Sequence, residues 1–282
     1  MDIGTPRKGY QAMSINDITL AGGMRSALTS LQMFAALQAR TTERLSTGKR
    51  VNSAVDDPSA YFAAQNHMSR ASDLAARKDM MAEAIQTVRT ATEGIDAITS
   101  LIQQAKGIAE SARGGTSAER TALSTQYDEL LTQIDELAGD ALYRGRNLLD
   151  SDTLTVTFNE DGTSTLTITG FDGTSSGLSI DGAANAWAAD TDIDGATTDL
   201  DAALVTLRTN AKSLAANLSV VTTRQEFTVN LINTLTGGAD LLTAADQNEE
   251  GANLLALQTR QQLGITALSL TSQTQQSILK LF

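Results

Sequence analysis

Between residues 74 and 112 the apolar positions fall on a seven-residue grid. Leu74, Met81, Val88, Ile95, Ile102 and Ala109 occupy one position of that grid. Ala84, Ala91, Ile98, Ala105 and Ala112 follow three residues later, and only Arg77 breaks this second row. An apolar stripe stepping by three and four predicts one long helix with a partner helix along its length. At 1.5 Å per residue the helix is about 60 Å long, more than an ordinary globular domain uses. The alanines favour a close approach of the partner.

Similar stripes recur. Leu28, Leu31, Ala35, Gln38, Thr42 and Leu45 predict a helix from about Met24 to Leu45, and Met33, Phe34 and Leu37 give it a second apolar flank. A helix that is apolar on two flanks expects more than one neighbour. Leu123, Tyr127, Leu130, Ile134, Leu137 and Ala141 predict a helix over 118–141, folded back antiparallel after Gly114–Gly115. Helical pattern returns at Leu200 with Leu204, Leu207, Ala211, Leu214, Leu218 and Val221; Gln225 and Thr228 interrupt it before Ile232 and Leu235. A last helix spans Asp246 to Leu279, with Leu254, Leu257, Gln261, Ile265 and Leu268 on one stripe and Ile278 near its end. Gly48 is a helix stop. Gly22–Gly23, Gly114–Gly115 and Gly237–Gly238 read as breaks between helices. Asp57 is placed to cap a helix that opens at Pro58 and leads through Ser59–Ser69 into the long rod.

The period changes at Asp150. Leu154, Val156 and Phe158 alternate with polar residues, as do Leu166 and Ile168, around an Asp161–Gly162 turn signal. This predicts a β-hairpin. Residues 171–197 are rich in Gly, Ser, Thr and Asp, with a short strand expected at Leu178–Ile180 and the only tryptophan at Trp187. The whole middle reads as a polar surface region. The fold class is therefore mainly α: long antiparallel helical hairpins or a coiled-coil rod, with a small β-hairpin region in the middle of the chain.

Composition narrows the function. The chain has 282 residues and is 41% hydrophobic but only 4% aromatic, which suits thin helical rods better than a wide enzyme core. Its net charge of −12 and unclustered cations argue against nucleic-acid binding by phosphate neutralisation. No apolar run is long enough to insert in a membrane, and no apolar segment of a cleaved secretion signal follows Arg7 and Lys8. Without cysteine, thiol nucleophiles, disulfides and Cys-ligated zinc are excluded. A single histidine, His67, rules out His-paired zinc motifs and reads as a helix-surface residue. The acidic stretch 190–201 lacks the ligand ladder of a calcium loop and reads as a solvated loop. No constellation for catalysis, a cofactor or a metal remains. Residues 1–13 read as a disordered extension; organised pattern begins just after Met13, which like Met1 is a candidate start.

The stretch Glu43-Arg-Leu-Ser-Thr-Gly-Lys-Arg-Val-Asn-Ser-Ala-Val-Asp-Asp-Pro58 resembles the N-terminal signature of bacterial flagellin, as does Ala91-Thr-Glu-Gly-Ile95. The end, Gln275-Gln-Ser-Ile-Leu-Lys-Leu-Phe282, resembles the flagellin terminus. Within the signature, Arg44, Leu45, Gly48, Asn52, Asp56, Asp57 and Pro58 carry the resemblance. The short middle is closer to the alphaproteobacterial type than to the large enteric one. The resemblance also extends to the hook–filament junction protein, whose terminus matches less well; that protein, or another secreted coiled-coil adaptor, is the alternative reading.

The resemblance implies a secreted, extracellular filament subunit for swimming motility. It implies an inner-tube helix and connector at 14–55, N-terminal rod helices at 56–150, a short outer segment at 151–198, a C-terminal rod helix at 199–245 and a second inner-tube helix at 246–282. The inner-tube contacts expected are Leu28, Leu31, Phe34, Leu37, Leu45, Leu254, Leu257, Ile265, Leu268, Ile278, Leu279 and Phe282. The rod core expected is Leu74, Met81, Val88, Ile95, Ile102, Leu130, Ile134, Leu207, Leu214 and Val221. The implied partners are the chain itself in a helical homopolymer, the flagellar type III export apparatus, a cytoplasmic chaperone on the last helix, and hook-associated and cap proteins. Toll-like receptors read Gln103–Glu110 in many flagellins. Gln104 and Gly107 depart from the activating pattern, so weak or no receptor activation is expected.

Overall fold

The computed structural model describes the backbone of residues 15–279, with side chains for 23–274, 276 and 277. Its helices are α1 (Ile15–Thr47), α2 (Pro58–Ala112), α3 (Ser117–Asp140), α4 (Asp190–Thr243) and α5 (Gln247–Leu279). Strands β1 (Thr153–Thr157) and β2 (Thr165–Thr169) lie between α3 and α4. The chain divides into two units: residues 67–237, and the residues up to Asn66 together with those from Gly238 on.

The 67–237 unit is built on the two stripes of α2. Leu74, Met81, Val88, Ile95, Ile102 and Ala109 are all buried, and so are Ala84, Ala91, Ile98, Ala105 and Ala112. Leu200, Leu204, Leu207, Leu214 and Val221 of α4 close the same core. From α3 the buried line is Tyr127, Leu131, Ile134 and Ala138. Leu130, expected in the core, is only half-buried, and Leu131 takes its place. The reason is geometric: a four-residue step from Tyr127 stays under the core-facing side, whereas Leu123, Leu130 and Leu137 drift to its flank. A smaller cluster joins Ala71 and Leu74 to Leu235. Between the two clusters lie the polar interruptions of the α4 stripe. Thr228 is buried and donates to the Arg224 carbonyl at 2.8 Å, and Gln225 donates to the Lys78 carbonyl at 3.4 Å.

Ends of helices follow local chemistry. Thr116 and Glu119 form a reciprocal capping box at the start of α3. At the other end of α3, buried Asn147 donates to the carbonyls of Ala138 (2.7 Å) and Gly139 (3.0 Å) and accepts from the Leu149 amide. Asp57 caps α2 by accepting from the Ala60 amide at 3.1 Å, and Pro58 is the first helical residue.

Three expectations need correction. Gly22–Gly23 and Gly237–Gly238 do not break helices; both pairs lie inside α1 and α4. Two helical glycines cost about 2 kcal/mol relative to alanine, an amount that apolar packing offsets where Leu235 and Ala239 are buried on either side. The acidic stretch 190–201 is not a loop: it is the first turns of α4, and its carboxylates face cations of α2, of α3 and of the turn between them. Arg120 pairs with Asp190 at 2.6 Å, Arg113 with Asp194, and Lys106 with Asp201. Arg120 also donates to the carbonyls of Arg113, Gly115 and Trp187, tying the Gly114–Gly115 turn to the start of α4.

The third correction concerns the middle. The hairpin forms with Leu154 opposite Ile168 and Val156 opposite Leu166, turning through Gly162 at φ 72°. It does not stand off as a polar surface region. Val156, Phe158, Ile168, Leu178, Ile180 and Trp187 are buried in the main core. Leu178–Ile180 is a turn rather than a strand, because Leu178 and Ile180 donate their amides back to Thr174 and Ser175. The strap from 172 to 189 is fastened to α3 by carboxylates: Asp135 accepts from the Ser175 amide (2.6 Å) and Asp128 from the Ala183 amide (2.8 Å). Beneath it, Trp187 packs on Tyr127 with ring centroids 5.1 Å apart, and the Tyr127 hydroxyl donates to the Asp181 carbonyl. Burial pushes the Tyr127 pKa above its ordinary value, and the carboxylates of Asp199, Asp128 and Asp181 add to it.

Candidate assembly surfaces

The unit that contains α1 and α5 holds the signature connector. Gly48 adopts φ 68°, which ends α1 without the steric cost a β-carbon brings. The connector then pairs with the link between α4 and α5. Arg50 and Val51 donate to the Thr243 carbonyl at 2.7 and 3.3 Å, and Ala245 donates to the Gly48 carbonyl at 2.9 Å. Val51 and Thr243 are buried at this junction. Asp56 accepts from the amides of Asn52 (3.2 Å) and Ser53 (3.1 Å), from the Ser53 hydroxyl, and from Arg40 (3.0 Å). Those bonds, the Ser53 hydroxyl foremost, hold its carboxyl below the ordinary aspartate range. Arg44 reaches α5 and bonds Glu250 at 2.8 Å, where the glutamate is buried. The signature residues thus tie the root of α1 to the root of α5.

Beyond that root α1 and α5 pack through a narrow seam. On α1 the less exposed positions are Met24, Ala27, Leu31, Phe34, Gln38, Thr41 and Leu45; on α5 they are Leu254, Leu257, Gln261, Gly264 and Leu268. Gly264 belongs to the seam because Leu31 sits against it: a β-carbon there would lie 2.8 Å from Leu31 Cδ2. Of the expected contacts, Leu31, Phe34, Leu45, Leu254, Leu257 and Leu268 are half-buried. Leu28, Leu37 and Ile265 are not in the seam; they are exposed on the outer flanks. Met33, Leu255, Leu263 and Leu270 are exposed with them, the last three at 63–67%. Phe282 and the side chains of Ile278 and Leu279 lie outside the described residues.

Sequence reasoning missed Glu250, Thr41 and Gly264. Strict alternation of three and four along α5 runs Leu254, Leu257, Gln261, Gly264, Leu268 and finds the glycine; the apolar identity of Ile265 draws the eye off it. Nothing in the sequence marks Glu250 as the buried partner of Arg44. Among the described residues no group of His, Cys, Asp and Glu is arranged to hold a metal, and no helix is long and apolar enough to cross a membrane.

The bacterial flagellin N-terminal helical region matches residues 16–153, which cover α1 from its second residue, the connector, and the whole of α2 and α3. Flagellin FljM of Caulobacter vibrioides is 32% identical over 277 residues, covering 96% of this chain and 100% of the relative. A Brucella melitensis flagellin is 30% identical over 272 residues, covering 91% of this chain and 96% of the relative. The crystal structure of Bacillus cereus flagellin superposes with a TM-score of 0.47 at 16% identity, over 53% of this chain and 88% of that one. With helices, connector and full-length relatives in agreement, the chain belongs to the flagellin family.

Proposed function

We propose that the exposed apolar flanks of α1 and α5 are the surfaces through which this flagellin polymerises. The chain is a structural subunit of the extracellular bacterial flagellar filament. The observation that carries the reading is the set Leu28, Met33, Leu37, Leu255, Leu263, Ile265 and Leu270. A pair of helices buries one seam and leaves these large side chains in water. Large apolar side chains left in water on several flanks of one helix pair suit contacts with other subunits. Flanks that face different directions from one seam suit heterologous contacts, which propagate into a helical filament instead of closing.

In this reading residues 14–55 and 246–282 form the inner tube. Residues 56–150 and 199–245 form the rod, and 151–198 supply the outward polar face while their apolar side chains complete the rod core. The inner-tube segments gain their helical order largely on assembly, because a single seam offsets little of the entropy of ordering two 33-residue helices. The chain leaves the cell through the flagellar export apparatus, with a cytoplasmic chaperone covering α5, where Arg260 is followed by a single charged residue, Lys280. Hook-associated and cap proteins bound the polymer. Its role is structural, with no reaction of its own. Receptor activation is weak, because exposed Gln104 and Gly107 replace the activating pattern.

The test is truncation of 246–282. The product is expected to keep a folded 67–237 unit by circular dichroism and to form no filaments in electron micrographs under polymerising salt. Filaments grown from the truncated chain would refute the proposal.

A further inference from the structure

The chain contains four Asp-Gly pairs: Asp161–Gly162, Asp172–Gly173, Asp181–Gly182 and Asp194–Gly195. Each is a chemical hazard, because a glycine amide has no side chain to block its attack on the preceding carboxyl. We propose that the fold protects three of these pairs and leaves Asp161–Gly162 as a site of spontaneous isoaspartate formation.

The step is balanced within the chain and water. The Gly162 nitrogen attacks Asp161 Cγ, the N–C bond forms, and the carboxyl hydroxyl leaves as water with the amide proton. Water then opens the five-membered succinimide at either carbonyl. Opening at the main-chain carbonyl leaves the backbone running through the side chain, one methylene longer and of unchanged mass. The attack needs a free amide and a peptide able to rotate toward the carboxyl.

Three pairs lack one or both. Gly173 is buried and its amide donates to the Leu149 carbonyl at 2.8 Å, while Asp172 Oδ1 is held by the amide and hydroxyl of Thr174. Asp194–Gly195 lies within α4, and its carboxylate pairs with Arg113. The Asp181–Gly182 peptide is exposed, but its carbonyl accepts from the Tyr127 hydroxyl at 3.2 Å, and the next amide, Ala183, is bound by Asp128. A peptide plane held at its oxygen turns its nitrogen only when that bond opens.

At the hairpin tip these restraints are weakest. Asp161, Gly162 and Thr163 are exposed, and the Gly162 amide makes only a 3.4 Å bond to Asn159. Around them the loop is braced by Asn159, which bonds the Ser164 amide and the Thr163 hydroxyl, and by the Glu160–Arg70 pair. The reaction therefore lengthens the tip without unpicking the β1–β2 ladder, whose last pair is Thr157 with Thr165.

The experiment incubates the full chain in ¹⁸O-water at neutral pH and 37 °C, folded and in urea. Each ring opening adds one heavy oxygen, and peptide mass spectrometry locates it. A protein isoaspartyl methyltransferase with labelled S-adenosylmethionine counts the isoaspartate. In urea all four pairs label. In the folded chain the 161–162 peptide is expected to label at least about tenfold faster than the other three, which react only through local opening. Asp161→Glu, which cannot form the five-membered ring, removes that signal. Comparable folded-state rates at 172–173 or 181–182, or no labelling at 161–162 over a period in which the urea sample labels, would overturn the proposal.

Discussion

Replacing Trp187 with alanine tests whether the middle of the chain is part of the rod or an ornament on it. The indole is fully buried against Tyr127 within the main cluster. Truncating a buried tryptophan to alanine costs about 3–5 kcal/mol. Two local features pull the figure down. The indole Nε1 is buried with no acceptor, so the wild type already carries a penalty of about 1–3 kcal/mol that the variant sheds. Asn185, Ala186 and Trp187 are all left-handed, at φ 48°, 51° and 57°. Such residues cost about 1–2 kcal/mol each, and a turn freed of its anchor relaxes part of that. A net loss of about 1–2 kcal/mol follows. For a unit of roughly this size, 1 kcal/mol moves Tm by about 2–4 °C, so the expected fall is about 2–8 °C. Circular dichroism at 222 nm reads it, since the variant has no tryptophan left to report. A loss under about 0.5 kcal/mol, the usual size of a surface change, would show that the strap lies on the unit without holding it.

Ala186→Gly keeps the left-handed turn and removes its steric cost; the exposed residue touches nothing that matters, so a gain of about 0.5–1 kcal/mol is expected in urea titration. Tyr127 gives an alkaline limit. Its folded pKa is raised, so its contribution is complete below the ordinary value of 10.0 and is lost as pH climbs above it; Tyr127→Phe should flatten that loss in melts run from pH 8 to 11 while costing about 1 kcal/mol at neutral pH through the missing bond to Asp181. Asp56 gives an acid limit of the opposite sign. Its folded pKa is depressed, so the connector it braces is stabilised above the ordinary aspartate value and loses that support as pH falls below it; Asp56→Asn should abolish the extra acid sensitivity of proteolysis near Ser53. Gly264→Val should cut filament yield severalfold in electron micrographs, because its branch meets Leu31 inside the seam, whereas the same change at Gly251, where an added β-carbon meets nothing within 4 Å, should not.

Much of the fold was legible because a rod is nearly one-dimensional. Each stripe of α2 and α4 needs only a periodicity of three and four, and that periodicity does not depend on knowing the partner. The capped start of α2 at Asp57–Pro58 and the hairpin at Asp161–Gly162 are likewise decided by neighbours in sequence. What resisted reading depends on distant residues. The aspartates of 190–201 look like a solvated loop until Lys106 of α2, Arg120 of α3 and Arg113 of the turn between them arrive. The Gly, Ser and Thr between 171 and 187 look like surface until Leu178, Ile180 and Trp187 are seen to find a core that α2, α3 and α4 leave open.

The phase of the α1–α5 seam failed for a further reason. On α1 two sets of positions alternate by three and four: one through Leu28, Ala35 and Thr42, the other through Ala27, Phe34 and Thr41, both sharing Leu31, Gln38 and Leu45. Hydrophobicity chooses Leu28, yet the seam takes Ala27, and on α5 it takes Gly264 over Ile265. At these two positions the smaller residue takes the seam and its larger neighbour faces out. In a self-sufficient protein that arrangement is backwards, since burying Leu28 and Ile265 instead would remove more apolar surface from water. It is the arrangement expected if, as we propose, the larger obligation of the helix pair is to other subunits, with the bulk at these positions left for contacts that the polymer supplies. Exchanging the roles, by placing leucine at Ala27 and alanine at Leu28, should therefore strengthen the isolated pair against proteolysis and weaken the filament. A filament that instead grew as well as wild type would mean that the exposed flank is not where subunits meet.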